Sequence, residues 1–428
     1  MSKSINKKSF YGERILADKV RISNDTKITG LNNNDLIIGS SGCGKTGGYV
    51  IPNIQNIDGS LVVSDTKGQL ERRFKQMLMD KGYDVYCIDL VNMHRSCGYN
   101  PMDYIGKMDD GSYSEKDILS LANLLSPEMD KDEPFWSRSA ASYIAFLICY
   151  CLEAEPENQH NLMHVGELHR RFGQPNGDLP FLSWIESHKD SFAAKKYYEF
   201  SFTRAADRTY SSILAFVNQY LEPFMFREAK YLFDNNDTFD IRSIGEKKTV
   251  LFLNVSDTDR TYDNIVNIFY AQALRVLCAE ADANPNGRLK VPVRIIMDDF
   301  AASAQIPNFD KIISVIRSRD ISVSLIIQSL SQIESMYNQS VSNTIINNCD
   351  HILYMGSQDM DTASFISSRA QKTPETILTM PRNTLCLLEA GKKASFVDKI
   401  VPYSTLKDER CTELTAFHSS DDELLINR

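Results

Sequence analysis

The sequence lacks the features that mark several protein classes. Its nine cysteines include no Cys-x-x-Cys pair. Their number is odd, and a chain of 428 residues is large enough to form a core without disulfide bonds. A reducing cytosol therefore fits this cysteine usage best. The first residues contain no apolar segment of the kind that forms the centre of a signal peptide.

Neither an excess of positive charge nor a long apolar run is present. The formal net charge is −9, whereas a protein that covers duplex DNA with one broad basic face is usually basic. Contact with nucleic acid must therefore be local or pass through a partner. The longest apolar run, residues 140–152, is shorter than the roughly 17 to 25 residues of a membrane-spanning helix. We therefore expect a buried helix and a chain that does not cross a membrane.

Strand-like and helical segments alternate near both ends of the chain, while the middle is mainly helical. Alternation of strand and helix at this spacing is typical of a parallel sheet with crossover helices. Residues 113–239 carry helical patterns and little strand signal, which predicts a helical insertion in an α/β domain. Residues 1–34 are polar and weakly patterned, and the last patterned segment predicts a β-hairpin that turns at Gly391. The predicted strands are 35–39, 60–65, 83–90, 248–255, 291–300, 322–329 and 351–356.

Residues 39–46, Gly-Ser-Ser-Gly-Cys-Gly-Lys-Thr, match the phosphate-loop pattern G-x-x-x-x-G-K-[ST] in full. Glycines let backbone N–H groups converge on phosphate oxygens, and a helix N-terminus adds its positive dipole end. We expect Lys45 to reach the β- and γ-phosphates of ATP and the Thr46 hydroxyl to bind Mg²⁺. A plain glycine turn is the alternative. The predicted nucleotide-binding residues are Gly39, Ser40, Ser41, Gly42, Cys43, Gly44, Lys45 and Thr46, with Asp65 and Lys67 at the end of the second strand.

Three further strand-end or loop features would complete an ATPase site. Asp298 and Asp299 end a buried strand, where one would hold Mg²⁺ and the next would orient or deprotonate the attacking water. Gln328 ends the next strand and would contact the γ-phosphate or the water. Arg317 would reach the nucleotide of a neighbouring subunit. The alternatives are exposed aspartates, an amide that begins a loop, and solvated arginines.

The residues that follow the acidic strand resemble those of the type IV coupling proteins, the VirD4/TraG/TraD family of conjugative ATPases. The resemblance is carried by IIMDDFAASAQIPNFDKIISVIRSRDISVSLIIQSLSQIESMY, by GSSGCGKTGGYVIPNI and by VVSDTKGQL. Residues 133–147 and 208–224 are similar to the family's all-α domain, and residues 347–376 and 397–403 to its C-terminal part.

The resemblance implies an α/β fold: a RecA-like P-loop NTPase domain with a mainly parallel central sheet and an inserted all-α domain. We place the RecA-like domain at residues 1–105 and 246–428, and the all-α domain at residues 106–245. It also implies homo-hexamers with ATP and Mg²⁺ at subunit interfaces. The implied roles are the Walker A pair for Lys45 and Thr46, the Walker B pair for Asp298 and Asp299, the sensor for Gln328 and the arginine finger for Arg317.

The implied partners are a relaxase or relaxosome with single-stranded DNA, and the ATPases of a type IV secretion channel. Family members usually carry N-terminal transmembrane helices, whereas only 38 residues precede Gly39 here. We therefore expect either a soluble form that docks on a separate membrane-anchoring subunit or the loss of an anchor. The expected location is the cytoplasm, with a peripheral place on the inner face of the bacterial cell membrane as the variant.

One residue departs from the family pattern at the chemistry itself. The second Walker B acid is usually Glu, but Asp299 is shorter by one methylene. Misplacing a base by about 1 Å can lower a rate on the order of 100-fold, so hydrolysis is expected to be slow in isolation. This leaves three hypotheses: an ATP-driven motor for conjugative transfer, a nucleotide-gated substrate receptor with little turnover, and another RecA-like DNA translocase.

Overall fold

A computed structural model of the chain describes residues 11–127, 134–201, 207–233, 237–300 and 305–400. The predicted domain ends at residues 1–10 and 401–428 lie outside the described residues. The strands are β1 (Glu13–Ala17), β2 (Val20–Ser23), β3 (Asp35–Ile38), β4 (Ser60–Asp65), β5 (Asp84–Asp89), β6 (Thr249–Asn254), β7 (Val293–Met297), β8 (Ile321–Ile327), β9 (His351–Tyr354), β10 (Thr384–Glu389) and β11 (Ser395–Asp398).

The α-helices of the described residues are distributed along the whole chain. They are α1 (Thr26–Thr29), α2 (Ile51–Gln55), α3 (Gln69–Asp80), α4 (Glu115–Leu125), α5 (Phe135–Ala154), α6 (Leu162–Phe172), α7 (Leu179–Ser187), α8 (Phe192–Ser201), α9 (Asp207–Leu221), α10 (Lys230–Phe233), α11 (Arg242–Glu246), α12 (Asp263–Ala283), α13 (Phe309–Val315), α14 (Leu330–Met336), α15 (Gln339–Asn347), α16 (Met360–Ala370) and α17 (Pro374–Leu378).

The chain divides into two compact units. The first comprises Met1–Asp58, Val323–Ser335 and Ile346–Arg428, and the second comprises Gly59–Ser322 and Met336–Ile345. Both contain parallel strands whose residues are almost all buried, such as β3 and β4. Strands buried on both faces read as continuous apolar runs, which is why the sequence pattern identified them well.

The strands of the first unit run in the order β11-β10-β9-β3-β8. The central strand β3 is parallel to both neighbours, with Ile38 level with Ile327 of β8 and with Tyr354 of β9. The carboxyl ends of these strands therefore meet at one edge, from which the phosphate loop departs. Strand β10 is antiparallel to β9 and β11, and the predicted hairpin turn is confirmed, with Gly391 at a φ of 78°.

A buried polar network ties the N-terminal hairpin to β3. Arg14 of β1 donates through Nε to the Asp35 carboxylate at 3.0 Å, and both side chains are fully buried. The Tyr49 hydroxyl donates to the same carboxylate at 2.5 Å, and His351 Nδ1 lies 2.9 Å from Arg14 Nη2. Residues 11–34 contain strands β1 and β2, although the sequence there showed only a weak secondary-structure pattern. The pattern was weak because Arg14, a charged residue, occupies a core position.

The strands of the second unit run in the order β7-β4-β6-β5, and all three pairings are parallel. Asp65 of β4 is level with Asn254 of β6, which in turn is level with Asp89 of β5. The Asn254 side-chain amide donates to the Asp89 carboxylate at 2.8 Å. Polar side chains therefore gather at the carboxyl edge of this unit, the edge at which open α/β sheets bind ligands.

Helix α5 lies at the centre of the helical region of the second unit. It packs on α4, α6, α8 and α9, and its aromatic residues Tyr143 and Phe146 contact Phe172 and other buried rings. Among the described residues, α5 alone is long and apolar enough to span a membrane by length and composition, and 72% of its apolar window is buried in the fold. The buried helix expected over residues 140–152 is confirmed, and it extends beyond this apolar run to 20 residues. The described residues between Tyr104 and Thr249 form no strand, and the domain boundaries stay predictions.

Candidate nucleotide-binding site

The phosphate loop follows β3 directly and leads into a helix. The Gly39 N–H donates to Ile327 O at 3.0 Å, and the Ser40 N–H donates to Gly356 O at 2.8 Å. A Cβ at residue 39 would lie 2.3 Å from Cys43 Sγ and 3.1 Å from Met355 Cβ, so any larger residue would displace its neighbours. Gly44 has a φ of 93°, in the region that glycine occupies at no steric cost. The helix begins at Thr46 with a π-helical turn and continues as α2.

Lys45 is folded back over its own loop. Its Nζ donates to Gly39 O at 2.7 Å and to Ser40 O at 3.2 Å, and the residue is only 8% exposed. An ammonium group has three donors, and two of them serve these carbonyls. The side chain therefore holds a positive charge at the glycine-rich loop, which suits an anionic ligand such as a phosphate.

Gln328 lies at the same edge of the first unit, directly after β8. Its backbone N–H donates to Gln332 Oε1 at 2.9 Å, and its own side chain is exposed. The strand end is thus where the pattern predicted it, and the sensor role of Gln328 stays a prediction.

The acidic strand end belongs to the second unit and follows β7. The Asp298 N–H donates to Ser64 Oγ at 2.6 Å, and the Ser64 hydroxyl lies 3.1 Å from Asp298 O. Asp298 itself is only 8% exposed, whereas Asp299 is half-buried. The Asp299 N–H donates to the Asp298 carboxylate at 3.1 Å. Ser64 therefore holds the main chain from which both carboxylates extend.

Asp299 has an unusual backbone conformation. Its φ is 50°, in the left-handed region that L-residues rarely adopt. Asp and Asn occupy that region at lower cost than other residues with side chains. This gives a physical reason for Asp rather than Glu here: the backbone turn at residue 299 favours the shorter carboxylate.

Asp65 serves the second unit as a helix cap. Its carboxylate accepts the backbone N–H groups of Leu70 at 2.6 Å, of Lys67 at 3.3 Å and of Glu71 at 3.4 Å. These bonds satisfy donors at the start of α3, which has no other side-chain cap. Lys67 is exposed. Nucleotide contact by Asp65 and Lys67 stays a prediction.

Arg317 lies on the surface of the second unit. It belongs to the 3₁₀ turn Ile316–Arg319 and is exposed, while Arg319 pairs with Asp282 at 2.8 Å. The arginine-finger role of Arg317 stays a prediction.

Two residues beside these groups have no counterpart in the sequence-based predictions. Ser64 contacts the main chain of Asp298, and Lys399, which follows β11, contacts the phosphate loop through Cys43 O. Ser64 could have been found from its place at the end of a predicted strand. No sequence signal marks Lys399, because only the fold brings the hairpin to the loop.

Comparison with known families decides the class of this protein. The family model described as "Type IV secretory system Conjugative DNA transfer" matches residues 3–374. The chain belongs to this conjugative DNA transfer family. The resemblance seen in the phosphate loop and the acidic strand is therefore confirmed at the level of the family.

Curated relatives of this family member include VirD4 of Rhizobium rhizogenes. The chain is 21% identical to it over 342 residues, which are 78% of this chain and 48% of VirD4. TraG of Rhizobium radiobacter is 20% identical over 357 residues, 82% of this chain and 54% of TraG. The chain thus spans about half the length of the curated relatives it matches.

Solved structures of coupling proteins share the fold of this family member. The unbound coupling protein TrwBdeltaN70 superposes with a TM-score of 0.67 at 14% identity, over 90% of this chain and 88% of that one. TrwB in complex with ADP and Mg²⁺ gives a TM-score of 0.63 at 14% identity, over 86% and 85% of the two chains. The α/β fold of a RecA-like P-loop NTPase, with a mainly parallel sheet, is confirmed.

Proposed function

We propose that this protein is an ATP-driven coupling protein of a type IV secretion or conjugation system. It recruits relaxase-bound DNA or a protein substrate and drives or gates its transfer. The observation that carries the proposal is the complete phosphate loop at the carboxyl end of β3, in a chain of the conjugative DNA transfer family. Hydrolysis of ATP is the reaction we assign to it.

The phosphate loop is assigned to bind the phosphates of ATP. The lack of room for a Cβ at residue 39 and the φ of 93° at Gly44 support this, since a cradle of N–H groups needs such a backbone. Lys45 supplies a positive charge for the β- and γ-phosphates. The TrwB complex with ADP and Mg²⁺ supports nucleotide binding in this fold.

Oxygen ligands of the kind that Mg²⁺ prefers are present in both motifs. We assign the Thr46 hydroxyl and the Asp298 carboxylate as the residues that would hold the ion. When bound, Mg²⁺ neutralises developing charge on the phosphates. Asp299 is assigned to orient the attacking water and to accept its proton, and Gln328 to contact the γ-phosphate or that water.

The active form is proposed to be a homo-hexamer in which Arg317 reaches the nucleotide of a neighbouring subunit. Its exposure supports such a role, because a guanidinium that acts across an interface must be accessible. The proposed partners are a relaxase with single-stranded DNA, channel ATPases of the secretion system, and a membrane-anchoring subunit. The net charge of −9 favours local DNA contact over a broad basic face. We place the protein in the cytoplasm or on the inner face of the cell membrane.

A second candidate function is a nucleotide-gated substrate receptor with little turnover. The observation that favours it is Asp299, whose short side chain and left-handed backbone make fast proton transfer harder to achieve. A third, another RecA-like DNA translocase, is disfavoured by the family match over residues 3–374.

The deciding experiment measures the ATPase rate against protein concentration, with and without single-stranded DNA. A motor with shared sites should show a rate per chain that rises steeply with concentration and is stimulated by DNA. Lys45→Ala should lower that rate on the order of 100-fold or more, because it removes charge stabilisation at the phosphates. Lys393→Ala, an exposed lysine of the β10–β11 hairpin, is the matched control and should leave the rate unchanged.

Two other outcomes would contradict the motor. A rate that DNA leaves unchanged in a confirmed ring assembly would speak against DNA translocation. Binding of ATP without measurable turnover under every condition would instead support the receptor.

A further inference from the structure

The end of the C-terminal hairpin is fixed against the phosphate-loop segment of the first unit. Asp398 O accepts the Asp18 N–H at 2.9 Å, and the Lys399 N–H donates to Asn383 O at 2.7 Å. A Cβ at Gly48, two residues into the helix that follows the loop, would lie 3.5 Å from Ile400 O. The main chain at residues 398–400 therefore has a defined position beside the start of that helix.

From this position the Lys399 side chain reaches two main-chain carbonyls. Its Nζ donates to Met355 O at 2.6 Å and lies 3.4 Å from Cys43 O. The first contact is a short, strong hydrogen bond, and the second acts mainly as a positive charge facing a carbonyl dipole. Lys399 is half-buried, and its burial lowers the pKa of the ammonium group. These carbonyls therefore compensate part of the cost of removing the charge from water.

The carbonyl of Cys43 belongs to the same planar peptide unit as the N–H of Gly44. In a trans peptide the C=O and the N–H point in opposite directions. A cation that attracts Cys43 O therefore also fixes where the Gly44 N–H points. This matters at Gly44, because a glycine with a φ of 93° has no side chain to restrict its peptide planes.

Lys45 and Lys399 contact different carbonyls of the same loop. Lys45 Nζ takes Gly39 O and Ser40 O, which precede the turn, while Lys399 approaches Cys43 O, which follows it. The two lysines therefore have no hydrogen-bond acceptor in common. Lys399 also lies outside the phosphate-loop pattern of the sequence.

We propose that Lys399 is a positioning residue for phosphate binding, which orients the Cys43–Gly44 peptide so that its N–H faces the phosphates. The proposal rests on the nucleotide-binding function proposed above. The ligand class is a nucleoside di- or triphosphate, and inorganic pyrophosphate is the smallest probe that tests the loop alone. The alternative is that Lys399 only ties the hairpin to β9 through Met355 O.

The test compares binding of MgADP, magnesium pyrophosphate and adenosine by calorimetry in the full chain. Lys399→Met keeps an unbranched side chain that is one atom shorter and removes the charge. It should weaken MgADP and pyrophosphate on the order of 10-fold and leave adenosine unchanged, since only the phosphate contacts change. Lys399→Arg should restore most of the affinity. Lys393→Met removes the same charge from the same hairpin and should bind all three probes like the original chain.

A spectroscopic measurement on the ligand-free protein separates orientation of the loop from general damage. With glycine-selective ¹⁵N labelling, Lys399→Met should shift the Gly44 amide resonance and leave that of Gly391, in the hairpin turn, in place. Lys45→Ala provides the control for the nucleotide site itself.

The outcomes distinguish the two levels of the argument. Suppose that the original chain binds pyrophosphate, that Lys45→Ala abolishes this binding and that Lys399→Met leaves it unchanged. The positioning role of Lys399 is then wrong, while the nucleotide site stands. Equal weakening of adenosine and pyrophosphate by Lys399→Met would also overturn it, in favour of the tie to β9. If the original chain and Lys45→Ala bind equally poorly, the proposed function fails and the role of Lys399 falls with it.

Discussion

The phosphate loop and the acidic strand end make an instructive pair. Each directly follows a buried parallel strand, β3 or β7, and each turns the chain sharply through a left-handed backbone conformation. The loop makes its turns with glycines, such as Gly44, at no steric cost. The acidic end uses Asp299 at a φ of 50°, a conformation in which a side chain carries some strain. The loop thus turns on residues without side chains, whereas the acidic end retains a side chain at a backbone position that glycine would occupy more easily.

Asp299→Asn is the sharpest way to separate these two roles. Asn tolerates the left-handed backbone as Asp does, so the fold should be kept while the carboxylate charge is lost. We expect ATP turnover to fall on the order of 100-fold, as for the loss of a positioned general base, with MgATP affinity within about twofold of the original chain. Steady-state ATPase assays and equilibrium binding measure the two effects. A parallel loss of affinity would mean that the acidic end also binds the nucleotide.

Asp299→Glu tests the backbone explanation for the short acid. Glu lengthens the side chain but pays more for the left-handed conformation, so we expect a thermal midpoint a few degrees lower than that of Asp299→Asn. A Glu variant as stable as the original chain would remove the backbone reason for Asp at this position.

Ser64→Ala should also act on the acidic strand end, with a smaller effect on turnover than Asp299→Asn. It removes the acceptor of the Asp298 N–H, which lies at 2.6 Å in a buried place. An unsatisfied buried donor costs about 1–3 kcal/mol, and the acidic main chain is expected to shift. We expect turnover about tenfold lower and nucleotide affinity unchanged. Ser322→Ala is the matched control, because Ser322 is also buried but bonds to Val293 at the opposite end of β7. Equal losses in both variants would assign the effect to folding.

Asp65→Ala tests whether the aspartate at the end of β4 belongs to the nucleotide-binding site. Because Asp65 accepts three backbone N–H groups of the segment that begins α3, we expect a loss of about 1–2 kcal/mol in the free energy of unfolding. If Asp65 serves only as this helix cap, MgATP affinity should not change. Ser114→Ala, at the N-cap of α4 with a single bond to Asp117 N, should lose less stability. A fall in MgATP affinity would instead support the predicted contact between Asp65 and the nucleotide.

Much of the sheet was predictable because its strands are buried on both faces. The predicted segment 60–65 coincides with β4, and the segments around β5, β6 and β9 differ from the structure by one or two residues at an end. An apolar pattern of this kind can be recognised from the local sequence alone. The phosphate loop was equally clear, since glycine, lysine and threonine at fixed spacing leave few alternatives.

The missed features depend on contacts between distant parts of the chain. Strand β1 was not predicted because Arg14 stands where an apolar residue is expected, and the carboxylate that pairs with it, Asp35, lies 21 positions away. Lys399 lies 356 residues from Cys43, and nothing in the sequence of its hairpin predicts a contact with the phosphate loop. Pairings of this kind follow from the fold and are invisible to local pattern.

The network of Arg14, Asp35 and Tyr49 sets a limit for protein engineering. A chain shortened to begin after Asn24 would lose both strands of the N-terminal hairpin and the guanidinium that neutralises Asp35. Removing one partner of a buried ion pair typically costs about 3–5 kcal/mol, a large part of the stability of an ordinary domain. Tyr49 would then be left bound to a buried carboxylate without its cation, three residues beyond Thr46. A shortened variant that fails to bind nucleotide could thus have an intact phosphate-loop sequence and a displaced helix behind it.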